Sequence, residues 1–150
     1  MLSETKNDMI YGNELHYFVT MNNPFNIGDK KTFSHKVVIE DIARFESGEV
    51  HQVYSTFALT RDAEWSGRLF VLEMKEESEE GIGTGINVMH HSPALIGQEV
   101  TFTAILIEIN RNEVVTEFEA KVSERLIASG KQWQKILPRE KLDRLFDSLK

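Results

Sequence analysis

The chain has 150 residues, a formal net charge of -7 and no cysteine. That length suits one domain, which buries roughly 68–70% of the surface its unfolded form exposes. The absence of cysteine excludes disulfides, thiolate metal sites and a cysteine nucleophile, and acidic groups without a basic block argue against a nucleic-acid partner.

Met1 to Asp8 lacks the basic and apolar regions of a signal peptide, and no apolar stretch is long enough to cross a bilayer. The expectation is a cytoplasmic protein with no membrane partner. Residues 1–25 read as an N-terminal extension, with Leu15 to Thr20 a short strand or helical turn and Asn22-Asn23-Pro24 a turn. Residues 26–150 read as the domain itself. Thr32 to Glu40 alternates through Phe33, His35, Val37 and Ile39 as a strand, and Ser47-Gly48 breaks the chain. Val53 to Lys75 reads as one long helix, apolar over more than one face and therefore expected to be buried on most sides, with Ser55 or Thr56 as its N-cap.

Four strands follow: Ile82 to His91, Glu99 to Ile109, Glu113 to Ser123 and Leu126 to Ile136. Asn110-Arg111-Asn112 joins the second and third as a hairpin, and Gly130 marks a bulge or close approach in the last. Pro138 starts a C-terminal helix over Arg139 to Leu149, with Leu142, Leu145, Phe146 and Leu149 on one face. The order predicts an α+β layer design, with a curled antiparallel sheet of about five strands around one central helix.

Three residues stand out chemically. Glu64 lies mid-helix between Ala63 and Trp65, where apolar surroundings would raise a carboxyl pKa; the plainer reading is a solvated stripe beside Arg61. Thr56, Thr60 and Glu64 are spaced by four and form a row on one helix face. The helix start near Thr56 offers free N–H groups and a positive dipole end, which favour an oxyanion. His90 shares a strand face with Ile82, Ile86 and Val88 and reads as either a core histidine or a site residue; His91 points the other way. The run Gly81-Ile82-Gly83-Thr84-Gly85 is no nucleotide fingerprint and signals close approach of a ligand or a strand. No metal-ligand spacing is present.

The stretch Gly83-Thr84-Gly85-Ile86-Asn87-Val88-Met89-His90, followed by Pro93 and Gly97, is similar to the Gly-Thr-x-x-x-Val-x-His segment of the fluoroacetyl-CoA thioesterase-like branch of the hotdog superfamily. Val53-Tyr54-Ser55-Thr56, Glu64-Trp65 and Ile127-x-Ser129-Gly130 resemble further motifs of that branch, over about Phe25 to Phe146. The resemblance implies a hotdog fold and an acyl-CoA thioesterase, with Thr56, Glu64 and His90 as catalytic groups and Gly83, Thr84 and Thr60 at the substrate. It implies no cofactor beyond the CoA of the substrate, and a homodimer or dimer of dimers with sites at the subunit interface. Two features depart from the branch. Its last strand reads Gly-x-His-x-Arg where this chain has Gly130-Lys131-Gln132-Trp133-Gln134, and the lid-like loop between Phe45 and Val53 looks shortened. A non-catalytic acyl-CoA or acyl-carrier binding module and a hotdog dehydratase or hydratase are the competing readings.

Overall fold

The computed structural model describes residues 21–150; the expected strand or turn over Leu15 to Thr20 lies outside them. The elements are β1 (Lys30–Lys36), a 3₁₀ turn (Ile39–Asp41), β2 (Ile42–Phe45), β3 (Gly48–Tyr54), α1 (Thr56–Met74), β4 (Glu79–His90), β5 (Glu99–Asn110), β6 (Glu113–Val122), β7 (Arg125–Pro138) and α2 (Arg139–Asp147). Five strands form one antiparallel sheet in the order β1-β5-β6-β7-β4, and α1 packs against every one of them. This is the expected α+β arrangement.

Apolar alternation on β5 and β6 makes one face of the sheet the core. Val100, Phe102, Ala104 and Leu106 point at the helix with Phe118 and Ala120. They meet a helical stripe of Ala58, Leu59, Ala63, Phe70, Val71 and Met74, each at most 2% exposed. Residues three or four apart on a helix share a face, so this stripe is what the sheet buries. The helix is not buried on most sides as expected from its composition. Phe57, Trp65 and Leu72 lie outside the stripe and stay 52%, 41% and 40% exposed.

Three boundaries differ from the sequence reading. β1 stops at Lys36, and Ile39 to Asp41 turns instead of extending the strand. Val53 and Tyr54 belong to a strand, and α1 starts only at Thr56. Residues 42–54 form a separate two-stranded hairpin, β2-β3, turned at Gly48 with φ +110°. A positive φ is where glycine costs least.

β4 carries the feature that shapes the site. Its register against β7 slips between Gly83 and Gly85, leaving Thr84 as an extra residue. One inserted residue inverts the side-chain alternation. Before the bulge the odd positions face the helix: a methyl on Gly81 would meet Val71 and Arg68, and one on Gly83 would meet Glu64. After it the even positions do so, and Ile86 and Val88 pack on the core. His90 therefore shares its face with Ile86 and Val88 but not with Ile82. Gly85 is on the outer face, where an added methyl carbon would stand 3.3 Å from the Trp133 ring.

Candidate active site

Ser55 caps α1, its Oγ accepting from the Ala58 N–H at 3.2 Å. The cap position is thus filled by Ser55, and the Thr56 hydroxyl is left free. It meets His90, whose Nε2 lies 3.1 Å from Thr56 Oγ1. Both side chains are exposed. They stand in a cleft of about 360 Å³ lined by Ala43, His51 and Val53 of the hairpin, by Ser55, and by Ser92 and Pro93 after β4. The hairpin therefore forms one wall where the sequence suggested only a shortened loop. Thr60 lies one turn on and donates its hydroxyl to the Thr56 carbonyl at 2.6 Å. His91 turns to Ser129, with Nε2 2.8 Å from its Oγ.

Glu64 lies elsewhere. It is half-buried beside Gly83, where an added methyl carbon would stand 2.5 Å from its Oε1. Among the described residues its carboxylate has no hydrogen-bond or ion-pair partner. Thr56 and Glu64 are eight positions apart, a rise of about 12 Å along the helix axis. Within one chain the predicted set thus divides into two pairs, Thr56 with His90 and Glu64 with Gly83. Thr84, also expected at the substrate, is exposed at the bulge and donates to the Trp133 carbonyl at 3.3 Å.

The three glycines of the run serve three neighbours. Gly83 makes room for Glu64, Gly85 for Trp133, and Gly81 for Val71, with Arg68 beside it donating from Nη1 to the Gly81 carbonyl at 3.1 Å. Arg68 also binds Glu80 at 2.7 Å. Burial alone would raise the Glu80 pKa, but the Gly81 N–H, Arg68 and Lys75 together hold it below the usual value.

Beneath α1, β7 presents Gln132 and Gln134 where the resembled branch has His and Arg. Both are at most 2% exposed, and Gln134 Nε2 donates to Gln132 Oε1 at 3.3 Å. The Gln132 amide fills the notch left by Gly67, which explains a glycine in mid-helix: a methyl carbon there would fall 1.5 Å from Gln132 Nε2. Amides hydrogen-bond but do not carry protons at neutral pH, so this pair supplies no acid or base.

A second polar cluster, on the other flank of the helix, escaped the sequence reading. Asp41 and Asp62 are 2% and 5% exposed. Asp62 accepts from the Tyr54 hydroxyl and from Arg61 Nε at 2.8 Å, and Asp41 accepts from Arg61 Nη2 at 3.2 Å. His35 Nε2 lies 2.6 Å from Asp41 Oδ2. Burial would raise Asp41, yet hydrogen bonds from His35, the Val38 amide and Arg61 keep its pKa below the usual carboxylate value. Burial, then the bond to Asp62, push the Tyr54 phenol far above its ordinary range. The available signal was Asp62 itself, a charge on the buried stripe between Ala58 and Ser66. Among the described residues no three His, Asp or Glu side chains converge as a metal site.

A family profile described as fluoroacetyl-CoA-specific thioesterase matches residues 37–140. Among solved structures, the chain is similar to a Thermus thermophilus hypothetical protein of the thioesterase superfamily, at 36% identity and TM-score 0.81, covering 84% of this chain and 93% of that one. It is also similar to a mutant of the fluoroacetyl-CoA-specific thioesterase, at 22% identity and TM-score 0.78, covering 86% and 100%. A complex of that mutant with fluoroacetate and CoA matches at 23% identity and TM-score 0.71, covering 79% and 99%. A search of curated proteins finds no match.

Proposed function

The chain belongs to the fluoroacetyl-CoA-specific thioesterase family, and from that premise we propose that it hydrolyses an acyl-CoA thioester in a site shared by two copies of the chain. The observation that carries the reading is the split of the chemical groups into two pairs along one open-edged strand. Thr56 and His90 sit at one end of β4, and Glu64 and Gly83 toward the other. Among the described residues β4 pairs only with β7 and ends the sheet.

An open strand edge favours pairing with another strand, and a homodimer meets itself across a two-fold axis. Two β4 strands paired antiparallel about an axis at Asn87 set Ile86 of one against Val88 of the other, and the extra residue at Thr84 then brings position 90 of one against position 83 of the other. The partner subunit's Glu64 then faces His90 and Thr56. Each dimer holds two such sites.

In the proposed reaction Glu64 takes a proton from water, whose oxygen adds to the thioester carbon. The Thr56 hydroxyl and the N–H groups at the start of α1 receive the oxyanion; one such donor is typically worth roughly 3 kcal/mol of barrier. The carbon–sulfur bond then breaks, and the thiolate takes a proton from His90. The products are a carboxylic acid and CoA thiol. Thr60 and Thr84 line the acyl group's path. A complex of a related enzyme with fluoroacetate and CoA supports CoA as the carrier. The buried glutamines on β7, which supply no acid or base, favour a second reading as an acyl-CoA binding module.

Free-thiol release from a panel of acyl-CoAs tests the activity. Release by wild type and none by Glu64→Ala is expected, whereas CoA binding without release supports the module. Hydration of an enoyl-CoA, read from loss of the conjugated absorbance, would instead point to a hydratase. A doubly tagged heterodimer of Glu64→Ala with His90→Ala tests the shared site. It carries one intact site and should release thiol at about half the wild-type rate. A heterodimer as inactive as its parents refutes the sharing.

A further inference from the structure

We propose that Tyr54 is a positioning residue of the site: its hydroxyl, held by Asp62, fixes the two residues before α1 so that the Thr56 hydroxyl meets His90. The inference rests on the roles given above to Thr56 and His90.

Tyr54 ends β3 two positions before Thr56 and is 3% exposed. Its ring stacks on His35 at a centroid separation of 5.9 Å and meets Phe102 edge-on at 6.4 Å. A buried phenol needs an acceptor, and Asp62 supplies it from the helix. A hydroxyl bonded to a carboxylate is a charge-assisted pair, shorter and stiffer than a neutral one. Arg61 fixes that carboxylate with Nε at 2.8 Å and Nη2 at 2.9 Å, and Asp41 ties Arg61 in turn to His35. The main chain is fastened at the same place. The Tyr54 N–H donates to the Ala94 carbonyl and the Ser55 N–H to the Asp41 carbonyl, each at 2.8 Å.

Residues 54 and 55 are therefore held by β1, the 3₁₀ turn, the loop after β4 and α1 together. The Thr56 side chain is exposed, and His90 is the one partner of its hydroxyl among the described residues. Its placement is inherited from the two residues behind it. Stability is a weak reason for such a network, because two buried carboxylates cost desolvation that apolar side chains of like size would avoid. What the network provides is one defined geometry at the start of the helix, beside the cleft.

The test uses the full chain with Tyr54→Phe and Asp62→Asn, two near-isosteric changes. The first readout is independent of any hydrolysis: the ring nitrogen resonances of His90, with Thr56→Ala giving the position of the released ring. Tyr54→Phe and Asp62→Asn are expected to move the His90 Nε2 resonance toward the Thr56→Ala position while amide resonances across the sheet stay in place. The second readout is kinetic. The kcat for the acyl-CoA that wild type hydrolyses should fall about ten-fold with KM within about two-fold. In a Thr56→Ala background the same change should cost nothing further. A His90 resonance that stays put in both variants overturns the proposal, as does a lowered melting temperature with unchanged kcat. Failure of both variants to fold also counts against it, as the mark of a network that only holds the fold. If wild type hydrolyses no acyl-CoA, the functional reading fails, and the His90 resonances still decide the role of Tyr54.

Discussion

Gly83→Ala separates the chemistry of the site from the stability of the fold. A methyl carbon on residue 83 would stand 2.5 Å from Glu64 Oε1 and 3.5 Å from its carboxyl carbon, where ordinary contact begins at 3.4 Å. The carboxylate must therefore retreat by about 0.9 Å, the difference between those contact distances. What yields is the end of a flexible, half-buried side chain without a partner among the described residues, so the cost is one strained torsion, about 0.5–1.5 kcal/mol. Alanine also restricts the unfolded chain, which stabilises by about 0.4–1 kcal/mol where the backbone suits it. The backbone at Gly83 lies outside the positive-φ region, so the two effects nearly cancel. A reacting group displaced by about 1 Å can lose 100-fold in rate. Urea unfolding should thus give a midpoint close to wild type, while kcat for thiol release falls about 100-fold. Unchanged kcat in a stable variant would show that Glu64 is not the reacting carboxylate. A stability loss above about 3 kcal/mol would show that the notch is packed by something stiffer than a side-chain end.

Gly67→Ala should behave in the opposite way. Alanine gains about 1 kcal/mol in a helix, but here it overlaps the buried Gln132 amide, so a net loss of about 1–2 kcal/mol in urea unfolding is expected. Adding Gln132→Ala should return most of it by making room. Thr56→Ala and His90→Ala should each lower kcat by about 100-fold, and the double variant should lose less than the product of the two, because each side chain orients the other through their hydrogen bond; fully additive losses would show that the bond does not couple them. Asp41 binds its proton more weakly folded than unfolded, so its contribution to stability is full above its unfolded pKa and is lost as pH falls through the folded one. The stability gap between wild type and Asp41→Asn should be constant above about pH 5 and narrow below about pH 4. A gap that does not change with pH would refute that sign.

The parts of the fold legible in the sequence were those with strong periodicity. β5 alternates along its length and β6 from Thr116 to Ala120 because one face meets α1 and the other does not, and Pro138 marks the start of α2. The β2-β3 hairpin was not legible. Apart from its two ends it lies on the surface, with the five residues Glu49 to Val53 exposed or half-exposed, so burial imposes no period on it. The start of α1 was set three residues early because Val53 and Tyr54 continue the apolar pattern into a strand. At the site, spacing identified Thr56, Glu64 and His90 as residues of interest but not how they pair. The Tyr54-Asp62-Arg61-Asp41-His35 network is invisible to any local pattern. It joins four elements, and its members pair across separations of up to 20 positions.

The bulge at Thr84 shows why the pairing could not be read from alternation. Positions 83 and 90 differ by an odd number, so in a regular strand they face opposite sides of the sheet. If His90 reached Thr56, Gly83 would turn outward and Glu64 would lose its notch. One extra residue between them resolves the conflict, and the register slips there and nowhere else along β4. The same insertion turns Gly85 outward, where its missing side chain admits Trp133, and the Thr84 hydroxyl bonds the Trp133 carbonyl across the slip. A strand edge that carries a histidine at one end and a carboxylate notch at the other, both facing the helix, thus follows from a single irregularity. In the proposed dimer the same edge, met by its own copy in the opposite direction, would bring the two ends together.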